Sequence, residues 1–107
     1  MLKILVAEDD VSTNKLLCAI LKISGYEAIP AFNGEAALDI IDHQHIDLLL
    51  CDVMMPKMDG YKATQEIRHL PDKYKACIPI IAMTASAFEE DKREAIASGM
   101  NGHIAKP

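Results

Sequence analysis

The chain has 107 residues, half of them hydrophobic, and a formal net charge of -5. A single domain of that size and composition can bury a core, which excludes a disordered chain. The acidic balance without a basic cluster argues against direct binding of a nucleic-acid backbone, and no apolar stretch is long enough to cross a bilayer, so neither contact is expected of this domain.

Met1-Leu2-Lys3 opens directly into a strand over Lys3 to Ala7, with no signal peptide, and the expected compartment is the cytoplasm. That strand ends in three carboxylates, Glu8, Asp9 and Asp10. Asp10 to Ser12 can cap a first helix whose buried stripe reads Leu16, Leu17, Ile20 and Leu21, and Gly25 ends it. A short strand near Ala28 to Pro30 follows. Asn33-Gly34 then starts a second helix burying Ala37, Leu38, Ile40 and Ile41. Ile46 to Cys51 is nearly continuous in apolar residues, as a strand buried on both faces must be, and Asp52 emerges at its end. Asp59 or Gly60 opens a third helix with Ala63, Thr64 and Ile67 inward. Ile78 to Met83 is a fourth strand, Glu89 to Ser98 an amphipathic helix closed by Gly99, and His103 to Ala105 a fifth strand. Cys18, Cys51 and Cys77 are widely spaced, lack metal-ligand spacing and read as reduced structural thiols.

Strands alternating with helices imply an α/β fold with a parallel sheet covered on both faces. Ligands of such sheets bind outside the carboxyl ends of the strands. Polar residues stand at those ends: Glu8, Asp9 and Asp10, then Asp52, Thr84 and Lys106. If the first and third strands are neighbours, the carboxylates converge into a hard-oxygen site suited to Mg2+. Their mutual repulsion would be offset by that ion and in part by Lys106, which can also pair with a phosphoryl oxygen. Thr84 adds a neutral donor. This set is a phosphoryl-transfer site, with Asp52 at its centre as the nucleophile that would carry the group as an acyl phosphate.

Glu8-Asp9, Asp52 followed by Met55-Pro56 and Asp59-Gly60, Met83-Thr84-Ala85, and Lys106-Pro107 together resemble the receiver domain of two-component response regulators. The resemblance covers the whole chain. From Ala82 to Pro107 it is most similar to receivers fused to hybrid sensor histidine kinases. The resemblance implies a flavodoxin-like doubly wound five-stranded parallel sheet in the order 2-1-3-4-5. It implies that Asp52 accepts phosphate from a histidine kinase or a histidine phosphotransfer domain, within a signalling domain and not an enzyme. Asp9, Asp52 and the carbonyl of Met54 would hold Mg2+, with Glu8 acting mainly through a bound water. Thr84 and the amide of Ala85 would bind the phosphoryl oxygens, bridged by Lys106, and the Lys106-Pro107 bond is commonly cis in the family.

His103 stands where many receivers carry the aromatic residue that swings inward when the Thr84 position closes on phosphate, so it is either a switch or a partly exposed strand residue. His43 and His45 read as a solvated turn and His69 as a helix end. Met54, Met55 and Met58 are either a partner patch or loop packing, while Asp59 and Asp10 read as helix caps. Receivers continue past the Lys-Pro pair into a further helix, which residues 1–107 lack. Three or four aliphatic side chains buried by such a helix are worth about 5–12 kcal/mol, comparable to the whole stability of a small domain, so the native protein is expected to continue. A chain ending at Pro107 would bare an apolar patch and favour dimerisation or swapping. Two other functions remain open. A phosphohydrolase of the haloacid-dehalogenase type would need an aspartate where Met54 stands, and a phosphorylation-independent interaction module would not need the site intact.

Overall fold

Five short apolar runs form five parallel strands, each handed to the next by a crossover. In the computed structural model, which describes residues 1–55, 58–84 and 89–106, the elements are β1 (Lys3–Ala7), α1 (Val11–Ile23), β2 (Glu27–Ala31), α2 (Gly34–His43) and β3 (Leu48–Asp52). They continue as α3 (Gly60–Arg68), a single turn α4 (Lys73–Ala76), β4 (Ile80–Thr84), α5 (Glu89–Ala97) and β5 (Gly102–Ala105). The sheet order is β2-β1-β3-β4-β5, the flavodoxin-like order that the resemblance implies.

The two-residue period of a strand divides the core. Leu5, Ala7, Leu49, Cys51, Ile80 and Ala82 face Ala37 and Ile41 of α2, Ile67 of α3 and Ala95 of α5. Ile4, Val6, Leu50 and Met83 face the other way, against Leu17 and Cys18 of α1. Both faces of β1 and β3 are buried, which is why those runs lack polar residues. Pro30 is tolerated because β2 is an edge strand, where a missing N–H costs little.

Three sequence expectations shift. The stripe of α1 that meets the sheet is Asn14, Leu17, Cys18 and Leu21, whereas Leu16 and Ile20 are half-exposed. Apolar residues surround this helix, so periodicity alone does not orient it. The turn α4 was not foreseen, because four residues are too few to show a period; Asp72 caps it by accepting from the amides of Tyr74 and Lys75. Cys18 and Cys51 are buried free thiols, but Cys77 is exposed. Asp10 and Asp59 do cap α1 and α3, as expected.

The end of the sheet away from the strand-end carboxylates is tied by Arg68. Its guanidinium donates to the carbonyls of Gly99 (2.9 Å), Ala76 (2.7 Å) and Ile78 (2.8 Å) and to Oδ1 of Asn101 (2.7 Å). At the opposite end, Gly60 lets α3 approach β3 closely. A Cβ there would collide with the carbonyl oxygen of Asp52 and lie 2.9 Å from the Cα of Val53. Backbone cannot yield as a side-chain tip does, so Gly60→Ala is expected to lower stability by about 1–3 kcal/mol. Urea unfolding beside the wild type would measure this, and an unchanged midpoint would show that the approach is not tight.

Candidate functional site

Parallel pairing sets the site before any side chain is considered. Ala7 of β1 is in register with Cys51 of β3, so the next residues, Glu8 and Asp52, emerge side by side. Asp9 follows Glu8, and one carboxylate oxygen from each of the three lies within 4.8 Å of the others. Thr84 ends the neighbouring strand β4, and Lys106 follows β5. The backbone fastens these ends together: Val53 N–H donates to the carbonyl of Met83 (3.2 Å), Gly60 N–H to that of Val53 (3.2 Å), and Lys106 N–H to that of Thr84 (2.7 Å).

Glu8 is fully buried, Asp52 is 1 % exposed and Asp9 is exposed. Two backbone amides hold the buried pair. Asp10 N–H donates to Oε2 of Glu8 (3.0 Å), and Met54 N–H donates to Oδ1 of Asp52 (3.0 Å). The Lys106 ammonium reaches both acids, at 2.8 Å from Oδ2 of Asp52 and 2.8 Å from Oε1 of Glu8. The first contact is a hydrogen bond. The second is an ion pair outside hydrogen-bond geometry, so Oε1 of Glu8 is a buried oxygen with an open lone pair. Partial burial works against the Lys106 charge, but the close contacts with Asp52 and Glu8 and their negative charges outweigh it and its pKa is raised. Cys51, next to the central aspartate, is no rival nucleophile: burial, helped by the charges of Asp52, Asp59 and Glu8, pushes its thiol up to about 12.

An all-oxygen donor set with one buried oxygen short of a hydrogen bond fits a small hard cation such as Mg2+. The structure therefore brings Glu8, Asp9, Asp52 and Lys106 together, with Met54 turned toward Asp52 through its amide and its side chain 75 % exposed. Thr84 is buried at the adjoining strand end. His103 pairs in register with Ala82 and so shares the sheet face of Ala82 and Thr84; it is partly exposed, yet its Nε2 is buried with no hydrogen-bond partner among the described residues. Met55 is buried and Met58 half-buried, as loop packing requires. Ala85, Pro56 and the Lys106-Pro107 bond lie outside the described residues.

One residue of the site was missed by sequence reasoning. Asn14, fully buried on α1, extends Nδ2 to the carbonyls of Val6 (3.1 Å), Glu8 (3.1 Å) and Ala31 (3.0 Å). A polar residue at i-3 and i-4 to the apolar Leu17 and Cys18 was the available signal. A hollow of about 900 Å3 opens at the opposite end of the sheet beside Ile41, His45, Lys73 and Cys77. None of the strand-end carboxylates lines it, and the chemistry follows the carboxylates.

Known proteins share this arrangement. The sequence profile described as the response regulator receiver domain matches residues 4–107. The chain is 40% identical over 104 residues to the sensor histidine kinase RcsC of Escherichia coli, covering 97% of this chain and 10% of that protein. It is also 40% identical over 105 residues to the probable transcriptional regulator ycf27 of Cyanophora paradoxa, covering 98% of this chain and 42% of that one. A kinase and a regulator thus stand at equal identity, and this chain spans less than half of either. Among solved structures, it is similar to the receiver domain of the sensor histidine kinase PA1611 from Pseudomonas aeruginosa, which has a magnesium ion coordinated in its active site cleft. That match has a TM-score of 0.88 and 35% identity, covering 99% of this chain and 85% of the other.

Lys106→Met removes the counter-charge from two buried carboxylates and is expected to cost on the order of 3 kcal/mol at neutral pH. Because the folded-state pKa of Lys106 is raised, its contribution is fully present below the ordinary lysine value of 10.5 and fades as pH climbs through the folded value. Denaturant unfolding of both proteins from pH 7 to 11 should give a gap that is flat at first and narrows above about 10.5. Equal stability at pH 7 would place the ammonium outside the cluster.

Proposed function

The chain belongs to the response regulator receiver domain family, and on that premise we propose that Asp52 is its phosphoacceptor. The observation that carries the assignment is the binding of both Asp52 oxygens, Oδ1 by the Met54 amide and Oδ2 by Lys106, at a strand end where Glu8 and Asp9 converge. Receivers in two-component systems act with histidine kinases or phosphotransfer partners. The donor here is a phosphohistidine on a histidine kinase or a histidine phosphotransfer domain. A carboxylate oxygen of Asp52 attacks phosphorus, a P–O bond forms as the P–N bond breaks, and the imidazole leaves neutral after taking one proton from solvent.

Glu8, Asp9 and Asp52, with the Met54 carbonyl, are the residues that would hold Mg2+, Glu8 through a bound water. When bound, such an ion offsets negative charge on the phosphoryl oxygens. The magnesium in the Pseudomonas aeruginosa receiver supports that choice of ion. Lys106 faces the same oxygens from β5, and the Thr84 hydroxyl and Ala85 amide complete their binding. Closure of Thr84 gives His103, on the same sheet face, room to turn inward, which changes the surface offered to a partner. The domain is thus a cytoplasmic signalling module that assists its own phosphorylation and dephosphorylation. It is not an enzyme acting on a separate substrate, and by itself it contacts neither nucleic acid nor membrane. Among the described residues, no helix is long and apolar enough to cross a membrane.

Intact mass after incubation with acetyl phosphate checks the acceptor. Wild type should gain one phosphoryl group only with Mg2+, Asp52→Asn should gain none while remaining folded, and Asp9→Ala should bind Mg2+ at least about tenfold more weakly. Labelling that survives in Asp52→Asn would move the acceptor elsewhere.

A further inference from the structure

We propose that Asn14 is a positioning residue for the metal-binding carboxylates, acting through the backbone of the Glu8-Asp9 turn. This inference rests on the phosphoacceptor reading of the site. The ladder between β1 and β2 ends at the Ala7–Ala31 pair, leaving beyond it a gap that one backbone bond, from the Glu8 N–H to the Ala31 carbonyl, spans. A buried amide closes that gap. Its Nδ2 lies within 3.1 Å of carbonyls on Val6, Glu8 and Ala31, so two hydrogens are shared among three acceptors, and the Ala31 carbonyl also receives the Glu8 N–H (3.0 Å). Cys18 Sγ, one turn along α1, donates to Oδ1 of Asn14 (3.3 Å) and fixes which end of the amide faces the carbonyls.

The consequence falls on Asp9. Among the described residues nothing hydrogen-bonds to its carboxylate, so its place is set by its backbone, and the peptide entering it carries the Glu8 carbonyl that Asn14 grips. Glu8 is constrained by the same contact and by the Asp10 amide on its own carboxylate. The backbone N–H of Asn14 donates to the Asp10 carbonyl (2.9 Å) as the first-turn bond of α1, which a substitution at this position would keep, so the side-chain amide is what such a substitution removes from the turn. Groups that orient metal ligands without touching the ion change affinity by about 10–100-fold when removed.

Calorimetric titration with Mg2+ tests this, a suitable readout since the chain has no tryptophan. Asn14→Ala, at a temperature where it is folded, should raise the Mg2+ Kd about 10–100-fold. Leu17→Ala, a core truncation on the same helix face, should destabilise the fold yet leave that Kd within about twofold. The phosphorylation defect of Asn14→Ala with acetyl phosphate should disappear at saturating Mg2+. If Asn14→Ala does not fold, Asn14→Ser, which keeps one donor, should show an intermediate loss. An unchanged Kd in a folded Asn14 variant, or equal losses in the Asn14 and Leu17 variants, would overturn the proposal. Failure of the wild type to bind Mg2+ would instead remove the reading of the site on which it rests.

Discussion

Two carboxylates, Glu8 and Asp52, are buried side by side at the carboxyl edge of the sheet, and their charge is the constraint around which the site is arranged. Like charges a few ångströms apart in a poorly solvated place repel strongly unless a cation sits between them. Among the described residues the cation that touches both is Lys106, which lies 54 positions along the chain from Asp52. That contact cannot form locally. It requires β5 beside β4 and β4 beside β3, so the electrostatics of the site and the strand order depend on each other. The lysine must also reach past the end of β4, so the ion pair spans the strand that carries Thr84.

The parts of this arrangement that were legible in the sequence share one physical cause. A parallel strand buried on both faces tolerates almost no polar residue, so the position where polarity resumes marks the strand end, and Glu8, Asp52 and Thr84 stand there, with Lys106 at the corresponding position after the less covered β5. Convergence was also legible once two acidic strand ends were taken as neighbours. What was not legible depends on contacts with no local period. Leu16 and Ile20 are as apolar as Leu17 and Leu21, yet they face outward, since α1 is oriented by where the Asn14 amide finds carbonyls as well as by its apolar residues. Arg68, at the end of α3, ties α3 and α4 to the β4 and β5 approaches through neutral acceptors distant in sequence, which no local pattern announces. Desolvation pulls its pKa down, although a guanidinium remains charged at any physiological pH.

Burial is graded across the sheet of residues 1–107. Leu5, Val6, Ala7, Leu49 and Cys51 on β1 and β3 have no exposure, whereas Ile104 on β5 is 46% exposed and His103 is only partly covered. Within residues 1–107 the acid-bearing strands are therefore the fully packed half of the sheet and β5 the less covered half. Oxygens that hold a metal ion or act as a nucleophile must stay fixed within fractions of an ångström, and the full packing of β1 and β3 suits the carboxylates at their ends to that task.

Lys106 is the element common to both halves. In the structure described here it is held by Asp52 and Glu8, and it is anchored to the end of β4 through its own amide on the Thr84 carbonyl. A phosphoryl group on Asp52 would add negative charge within reach of the same ammonium, so the lysine would redistribute among acceptors it already faces without crossing a new desolvation barrier. Its backbone would carry that redistribution to β4 and β5 together, the strands that hold Thr84 and His103. A charge change at Asp52 therefore has a covalent and hydrogen-bonded route to the ends of β4 and β5.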